Sequence, residues 1–179
     1  MSDEYLKACR EGVKGAVEQY LAAGGDPDAA DGDGDTGLIK AANKGHLDIV
    51  RAVLRAGADP DRQSIYGWTD RQNSYGTTAL MRAALGGHEA VAEELLRGGA
   101  DPSIKRKGGE TALSWAQRYD NRVVALLRNP PAADPELVRL NRAARAAPPA
   151  QRAAIYSANK AAYEARSRLT HEAYEARQC

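Results

Sequence analysis

Residues 87–103 read GHEAVAEELLRGGADPS, and this stretch decides the fold because its pattern occurs twice earlier in the chain. The earlier copies are GVKGAVEQYLAAGGDPD at 12–28 and GHLDIVRAVLRAGADPD at 45–61. The first two copies start 33 residues apart, whereas the second and third start 42 residues apart, which is nine more than the period. A fixed period of roughly 20–50 residues indicates stacked units that share one elongated core. The period therefore predicts a binding surface rather than a catalytic pocket.

Each unit has the pattern of a helix, a tight turn, a second helix and a long turn. In the third unit Thr78 is a suitable N-cap, and the apolar Leu80, Ala83 and Ala84 follow it at helical spacing. A pair of glycines then ends each of the two helices, as glycine commonly does at a helix C-terminus. Since two short helices cannot bury their apolar side alone, neighbouring units are expected to stack.

The openings TGLIKAANKGH at 36–46 and TALMRAALGGH at 78–88 resemble the ankyrin repeat. The endings AGAD at 56–59 and GGAD at 98–101 are similar to that family as well. A fourth unit keeps the opening TALSWA at 111–116. The first and last units are degenerate, which is typical of capping units whose outer faces meet water.

The resemblance implies an all-α solenoid of helix-turn-helix units, with four helix pairs at about 3–35, 36–68, 78–110 and 111–129. We therefore expect an ankyrin repeat domain at 1–129 and a C-terminal helical extension at 130–179. One departure from the family is consistent, because its usual proline after the opening threonine is Gly37, Ala79 or Ala112 here. Proteins of this family mostly bind other proteins, through turns that project as fingers and through the concave face of the first helices.

The composition excludes several classes of protein. The chain has 179 residues and a formal net charge of +1, so no strong overall field draws it to nucleic acid or to anionic lipid. No apolar run approaches the roughly 18 residues of a membrane-spanning helix, and the acidic N-terminus lacks a secretory apolar core. Cys9 and Cys179 lie too far apart in sequence to indicate a disulfide framework. We expect a cytoplasmic protein without a membrane or nucleic-acid partner.

No motif predicts a cofactor, a metal site or an active site. The alternating aspartates of 31–35 are spaced as in a calcium loop, but the positions that require glycine and glutamate hold Thr36 and Ala42. His46 and His88 stand where the repeat places a structural histidine, and no Cys/His cluster has zinc spacing. No glycine-rich phosphate loop follows a strand. We therefore expect that the protein is not an enzyme.

The nine extra residues between the second and third units arise from an internal duplication. The stretch RQSIYGWTD at 62–70 is followed by RQNSYGTTA at 71–79. Stacking needs only one copy, so the other is expected to project as a longer finger loop within 62–78. That loop carries Tyr66 and Trp68. These side chains either fold back onto neighbouring fingers or anchor a partner, since Trp and Tyr dominate interface hot spots.

The C-terminal extension has the pattern of two helices. Asp134 and Pro135 are favourable at a helix start, and a shared face of Leu137, Leu140, Asn141 and Ala144 predicts a helix that covers the last repeat. From 151 onward the pattern predicts one long helix. Its expected apolar stripe consists of Ile155, Ala158, Ala162, Ala165, Leu169, Ala173 and Ala176. This helix either packs on the repeats or mediates self-association or partner binding.

The sequence predicts a protein–protein interaction module, an adaptor or an inhibitor, that binds a protein partner through its fingers and concave face. One alternative is a structural protein that forms a homo-oligomer through residues 151–177. Another is an effector-type inhibitor of a host protein, because richness in alanine and arginine is typical of GC-rich bacterial and phage genomes. The candidate partner-binding residues lie at positions that stacking leaves free to vary: Asp33, Asp35, Asn43, Lys44, Tyr66, Trp68, Tyr75, Thr77, Lys107, Glu110, Arg118 and Tyr119. Acid on the early fingers and base on the last predict a partner of matching polarity.

Overall fold

The computed structural model describes residues 2–65, 75–119 and 122–176, and the side chains of 163–176 lie outside that description. Within these ranges the chain forms ten α-helices, and this arrangement confirms the all-α fold class. The helices are α1 (Ser2–Glu11), α2 (Lys14–Ala22), α3 (Gly37–Lys44), α4 (Leu47–Arg55), α5 (Ala79–Gly86), α6 (Glu89–Arg97), α7 (Ala112–Arg118), α8 (Val123–Arg128), α9 (Pro135–Ala146) and α10 (Pro149–Ala176).

Threonine and glycine set the length of the first helix in the central repeats. The side chains of Thr36, Thr78 and Thr111 each accept a hydrogen bond of 3.3 Å from the backbone N–H three residues later. Each bond satisfies a donor that a helix start otherwise leaves free. Gly45 and Gly87 end α3 and α5 with φ of 76° and 67°, a left-handed conformation that glycine adopts without steric cost.

The helices stack in two rows with the core between them. Helices α1, α3, α5 and α7 pack side by side as the inner row, and α2, α4, α6 and α8 form the outer row. Leucine, isoleucine and valine side chains from both rows are buried, and fully burying one contributes about 1.5–3 kcal/mol. Alanines such as Ala41 and Ala83 are fully buried and permit close approach of the inner helices. A chain without phenylalanine therefore still fills a continuous core.

Two polar contacts recur from one repeat to the next. The ring Nε2 atoms of His46 and His88 lie 3.1 and 3.3 Å from carbonyl oxygens of the preceding first helix. The Oδ1 atoms of Asp28 and Asp61 accept hydrogen bonds of 2.9 and 2.8 Å from backbone N–H groups in the next long turn. Each such bond contributes about 1 kcal/mol. These contacts fix the spacing of the repeats at both ends of the outer helices.

The C-terminal extension packs on the outer row and runs back towards the N-terminus. The Asp134 N–H donates to the carbonyl at the end of α6 at 2.9 Å. Arg145 Nη2 then donates to Ala58 O at 3.2 Å, beyond the end of α4. Finally, Arg152 pairs with Asp26 at 3.4 Å, beyond the end of α2. The extension thus crosses the third, second and first repeats in turn.

Helix α9 does not cover the last repeat, and that prediction is wrong. The helix packs against α4 of the second repeat instead. Its close approach depends on Gly57, where a Cβ atom would lie 2.6 Å from the Cβ of Ala144. The face that carries Leu137, Asn141 and Ala144 is buried as predicted, but against the outer row.

The predicted apolar stripe of α10 is wrong at Ala158 and Ala162, whereas Ile155 of the same stripe is half-buried. Tyr156 and Asn159 are buried, whereas Ala158 and Ala162 are exposed. Asn159 Nδ2 donates to Arg55 O at 2.9 Å, and Tyr156 joins the main core. An aromatic ring and an amide therefore set the buried face, because alanines bury little apolar area. The rest of the stripe, 165–176, falls outside the described side chains.

Candidate partner-binding surface

Three long turns, which we call the fingers, project beside the inner row. They are finger 1 (26–36), finger 2 (59–78) and finger 3 (101–111). The base of each finger, which we call its stem, is closed by the same backbone hydrogen bond. It runs from a residue in the first half of the finger to the residue before the capping threonine. The donor and acceptor residues are Asp31 and Asp35 at 3.3 Å, Ser64 and Thr77 at 3.0 Å, and Arg106 and Glu110 at 3.0 Å. This common pattern aligns the three fingers residue by residue.

The alignment locates the insertion at the tip of finger 2. A second stem bond, such as that from Gly34 N to Asp31 O at 2.9 Å, encloses a two-residue tip in fingers 1 and 3. In finger 2 the equivalent bond from Gly76 N to Ser64 O, also 2.9 Å, encloses residues 65–75. The nine additional residues are therefore 66–74, which include Tyr66 and Trp68 and lie outside the described residues.

The finger tips are joined into what we call the finger row, made of Asp33, Ile65, Tyr75 and Lys107. Ile65 N donates to Asp33 O at 2.9 Å, and Lys107 N donates to Tyr75 O at 3.0 Å. Lys107 Nζ also lies 4.8 Å from the centroid of the Tyr75 ring. Ile65 is 57% exposed and Tyr75 37% exposed. The row holds two large apolar side chains in fixed positions on either side of the insertion.

Three of the predicted site residues do not present a freely exposed side chain. Asp35 and Thr77 are 4% and 0% exposed, so the prediction that they lie on the open finger surface is wrong. Glu110 accepts hydrogen bonds from Trp115 Nε1 at 3.1 Å and from Arg118 at 2.7 Å, and it also pairs with Arg106. Burial raises the pKa of Glu110, but these donors outweigh it and hold that pKa below its usual value. Glu110 thus joins finger 3 to α7 of the inner row.

The end of α7 contributes a second exposed group. Arg118 is exposed although it pairs with Glu110, and Tyr119 at the C-terminal end of the helix is 57% exposed. These two residues occupy the repeat positions of Asn43 and Lys44 in α3, as the 42-residue and 33-residue offsets require. The same repeat positions are therefore exposed or half-buried in the second and fourth repeats.

A cleft between α1, α3 and α5, which we call the inner pocket, collects basic side chains. Its lining includes Arg10, Lys40, Lys44 and Arg82, together with Asn43 and Asp35, and its cavity volume, measured for a water-sized sphere, is about 20 Å³. Lys40 Nζ pairs with Asp31 at 2.5 Å. Asp31 and Asp35 of finger 1 thus turn inward, Asp33 at its tip stays exposed, and Arg10 and Lys44 are exposed at the pocket. The inner pocket is therefore basic, whereas the predicted acidic polarity concerns the tips of the early fingers.

Asp35 and Arg82 are two buried side chains of opposite charge that both line this pocket. Burial raises the pKa of Asp35, partly offset by attraction to Arg82 and Lys40. Burial lowers the pKa of Arg82, and Asp35 opposes that shift. Both side chains are 4% exposed. Each charge therefore stabilises the ionised form of the other, although burial disfavours both.

Sequence reasoning missed Arg10, Lys40 and Arg82 as components of this surface. The sequence contains a signal for Lys40 and Arg82. Together with Lys7 they recur at offsets of 33 and 42 residues and so occupy one repeat position. Stacked repeats place such residues side by side along the inner row. Aligning the charges by repeat position, rather than by finger, would have identified the basic cluster.

Cys9 is expected to behave as an inert core residue. Burial raises the pKa of the Cys9 thiol to about 12, against a reference value of 9.0. Because the neutral thiol is the buried form, its stabilising contribution is complete below about pH 9 and declines as the pH rises towards 12. At pH 8 we expect alkylation of Cys9 in a Cys179→Ser variant to be about a thousandfold slower in the folded protein than in urea, measured by mass spectrometry. Comparable rates in the two states would contradict this burial.

The repeat pattern matches the family described as Ankyrin repeats (3 copies), over residues 6–106 and 67–139. These matches cover most of the chain, and the chain belongs to the ankyrin repeat family. Ankyrin repeats are generally protein–protein interaction modules. No curated protein matches this sequence.

Two further findings concern the described part of the chain. Within it, no helix combines the length and the apolar character that crossing a membrane requires. Among the same residues, no group of three or more His, Cys, Asp or Glu side chains is arranged to hold a metal ion.

Proposed function

We propose that this protein is an adaptor or inhibitor that binds a protein partner through the finger row and the inner face of its repeats. The observation that carries the proposal is the pair of exposed apolar side chains, Ile65 and Tyr75, at the two ends of the insertion. Backbone hydrogen bonds to the neighbouring fingers hold both residues in place. Because these side chains are already held in place, binding a partner costs little conformational entropy, and this favours affinity.

The insertion adds to this surface without being needed for stacking. Both residues that flank it make the hydrogen bonds that join the finger tips, so the finger row is complete without 66–74. Tyr66 and Trp68 belong to the added segment and are proposed as anchors, since aromatic residues carry much of the binding energy of protein interfaces. Tyr119 and Arg118 extend the proposed surface to the last repeat.

A homo-oligomer formed through residues 151–177 is less well supported by the contacts. Arg152, Asn159 and Lys160 bind Asp26, Arg55 O and Glu18 of the same chain. The first half of α10 therefore uses one side for internal contacts. The proposed partner surface lies on the inner row and fingers, while α9 and α10 pack on the outer row. A cytoplasmic location is part of the proposal and agrees with the free, buried thiol of Cys9.

The test compares partner capture by variants that alter the finger row and by a matched control. Ile65→Ser with Tyr75→Ser should lower affinity for a captured protein about 10- to 100-fold, because two apolar contacts are lost. Val13→Ser removes an apolar residue that is 49% exposed at the start of α2, and it should leave affinity unchanged. Equal capture by all three proteins, measured by quantitative mass spectrometry and then by calorimetry, would refute the finger row as the binding surface.

A deletion of residues 66–74 separates the role of the insertion from that of the fold. The shortened finger regains the two-residue tip of fingers 1 and 3, so the repeats should remain folded. Shortening the loop should raise the free energy of unfolding by about 1 kcal/mol, because less loop entropy is lost on folding. Affinity for the partner should fall if the tip holds anchors. A large loss of stability in urea unfolding would instead show that the insertion packs back on the repeats.

A further inference from the structure

The inner pocket contains two buried polar atoms that have no hydrogen-bond partner among the described residues. They are Asp35 Oδ1, an acceptor, and Arg82 Nη2, a donor. Both side chains are 4% exposed and line the same cleft between α1, α3 and α5. Leaving one buried polar atom unpaired costs about 1–3 kcal/mol, so two in one cleft indicate a site that a ligand group completes.

The chemistry of the two atoms favours a neutral group that both accepts and donates hydrogen bonds. A carboxylate only accepts hydrogen bonds and would leave Asp35 Oδ1 unpaired, and an ammonium group only donates and would leave Arg82 Nη2 unpaired. A carboxamide carries both a carbonyl acceptor and an NH₂ donor on one planar head. Its oxygen can accept from Arg82 while its nitrogen donates to Asp35.

The mouth of the pocket specifies what surrounds that group. Arg10 and Lys44 are exposed there, and the basic residues that line the pocket outnumber its one acid, Asp35. Lys40 is already paired with Asp31, so its charge is largely compensated. Exposed charges steer a ligand of opposite sign and select against one of like sign. The residues on either side of the carboxamide should therefore be acidic.

We propose that the inner pocket binds the side chain of an asparagine or glutamine within an acidic segment of the protein partner. This inference rests on the proposed function and names the chemistry that the inner face recognises. The carboxamide enters between α1 and α5, where it pairs with Asp35 and Arg82. The acidic neighbours remain at the mouth beside Arg10 and Lys44.

The test titrates capped five-residue peptides into the full chain and follows binding by NMR, which detects weak complexes. The probes are Glu-Glu-Gln-Glu-Glu, the same peptide with norleucine in place of glutamine, and Lys-Lys-Gln-Lys-Lys. The glutamine peptide should bind about tenfold more tightly than the norleucine peptide, because the latter leaves both buried atoms unpaired. The lysine peptide should not bind, because the mouth repels it. Acetamide alone should bind too weakly to saturate.

Variants of the chain then separate the pocket from its mouth. Asp35→Ala should bring the affinities for the glutamine and norleucine peptides close together. Arg10→Gln with Lys44→Gln should lower the affinity for both acidic peptides several-fold and leave the ratio of the two affinities unchanged. Both of these residues are exposed, so this double variant should fold even if Asp35→Ala does not. Arg128→Gln removes an exposed charge on α8 and serves as the control that should change nothing.

The possible results each decide the proposal. Equal binding of the glutamine and norleucine peptides would overturn it, and would show that solvent satisfies the two atoms. Saturation by acetamide without binding of the acidic peptide would also overturn it, and would assign the pocket to a small amide. Either result leaves the proposed function standing if Ile65→Ser with Tyr75→Ser still lowers the affinity for the captured partner as predicted.

Discussion

Gly57→Ala is expected to lower the free energy of unfolding by about 3 kcal/mol and to displace α9 from the repeats. Gly57 has a φ of 92°, which costs an L-residue about 1–2 kcal/mol. The new Cβ would also lie 2.6 Å from the Cβ of Ala144 and 2.7 Å from the backbone N of Arg145. Because the second contact is with backbone, α9 must move and lose its hydrogen bond to Ala58 O. Urea unfolding measures the total loss.

Gly109→Ala is the matched control for this substitution. Gly109 has a φ of 78° in finger 3, and a Cβ there would meet nothing within 4 Å. Gly109→Ala should therefore lower the free energy of unfolding only by the cost of placing alanine in left-handed backbone, about 1–2 kcal/mol. The difference between the two variants measures the contact between the second repeat and α9. Equal losses would mean that α9 is not held against Gly57.

Much of the fold could be predicted from the sequence because its determinants are local and periodic. Thr36, Thr78 and Thr111 cap the helices at the positions that the repeat assigns to them. The insertion was also recognisable, because an offset of nine residues both duplicates RQ-YG-T and breaks the 33-residue period. Which nine residues are the insertion could be decided only from the structure. The backbone hydrogen bonds of Ser64 identify them as 66–74.

The candidate site could be predicted only in part, because repeat position does not determine burial. Asp35, Thr77 and Glu110 share the position before the capping threonine, and each of these side chains is either buried or hydrogen-bonded to an inner helix. The residue type at this position differs between the repeats, but this difference does not create a free surface. The inner pocket depends on three helices, and the approach of Asp35 and Arg82, 47 positions apart in the sequence, to one cleft has no local signal.

The path of the C-terminal extension over the repeats could not be predicted, because it depends on a few individual polar contacts. Asn159 Nδ2 donates to Arg55 O, and Lys160 pairs with Glu18 at 3.1 Å. Neither contact leaves a periodic apolar pattern in the sequence. Alanines at helical spacing did form a pattern, but their small area makes a weak packing face. A single buried tyrosine therefore outweighs several alanines in fixing the rotation of α10 about its axis.

Tyr156→Ala is accordingly expected to release the first half of α10 from the outer row. Tyr156 is 3% exposed and belongs to the main core, and truncating a buried aromatic residue to alanine costs about 3–5 kcal/mol. Since α10 packs against α2 and α4, the loss falls first on that contact. Amide hydrogen exchange in 149–162 should rise by about two to three orders of magnitude, whereas α5 and α6 should keep their protection.

Ala162→Asp tests the same helix from its other side. The alanine stripe predicts that a charge at position 162 releases α10, but Ala162 is exposed, so the substitution should cost less than about 1 kcal/mol. The two variants therefore distinguish the face that Tyr156 and Asn159 define from the face that the alanines define. If Ala162→Asp accelerates exchange as much as Tyr156→Ala does, the alanine face is the packed one. If neither variant changes exchange, contacts other than these hold the helix, such as the pairing of Lys160 with Glu18.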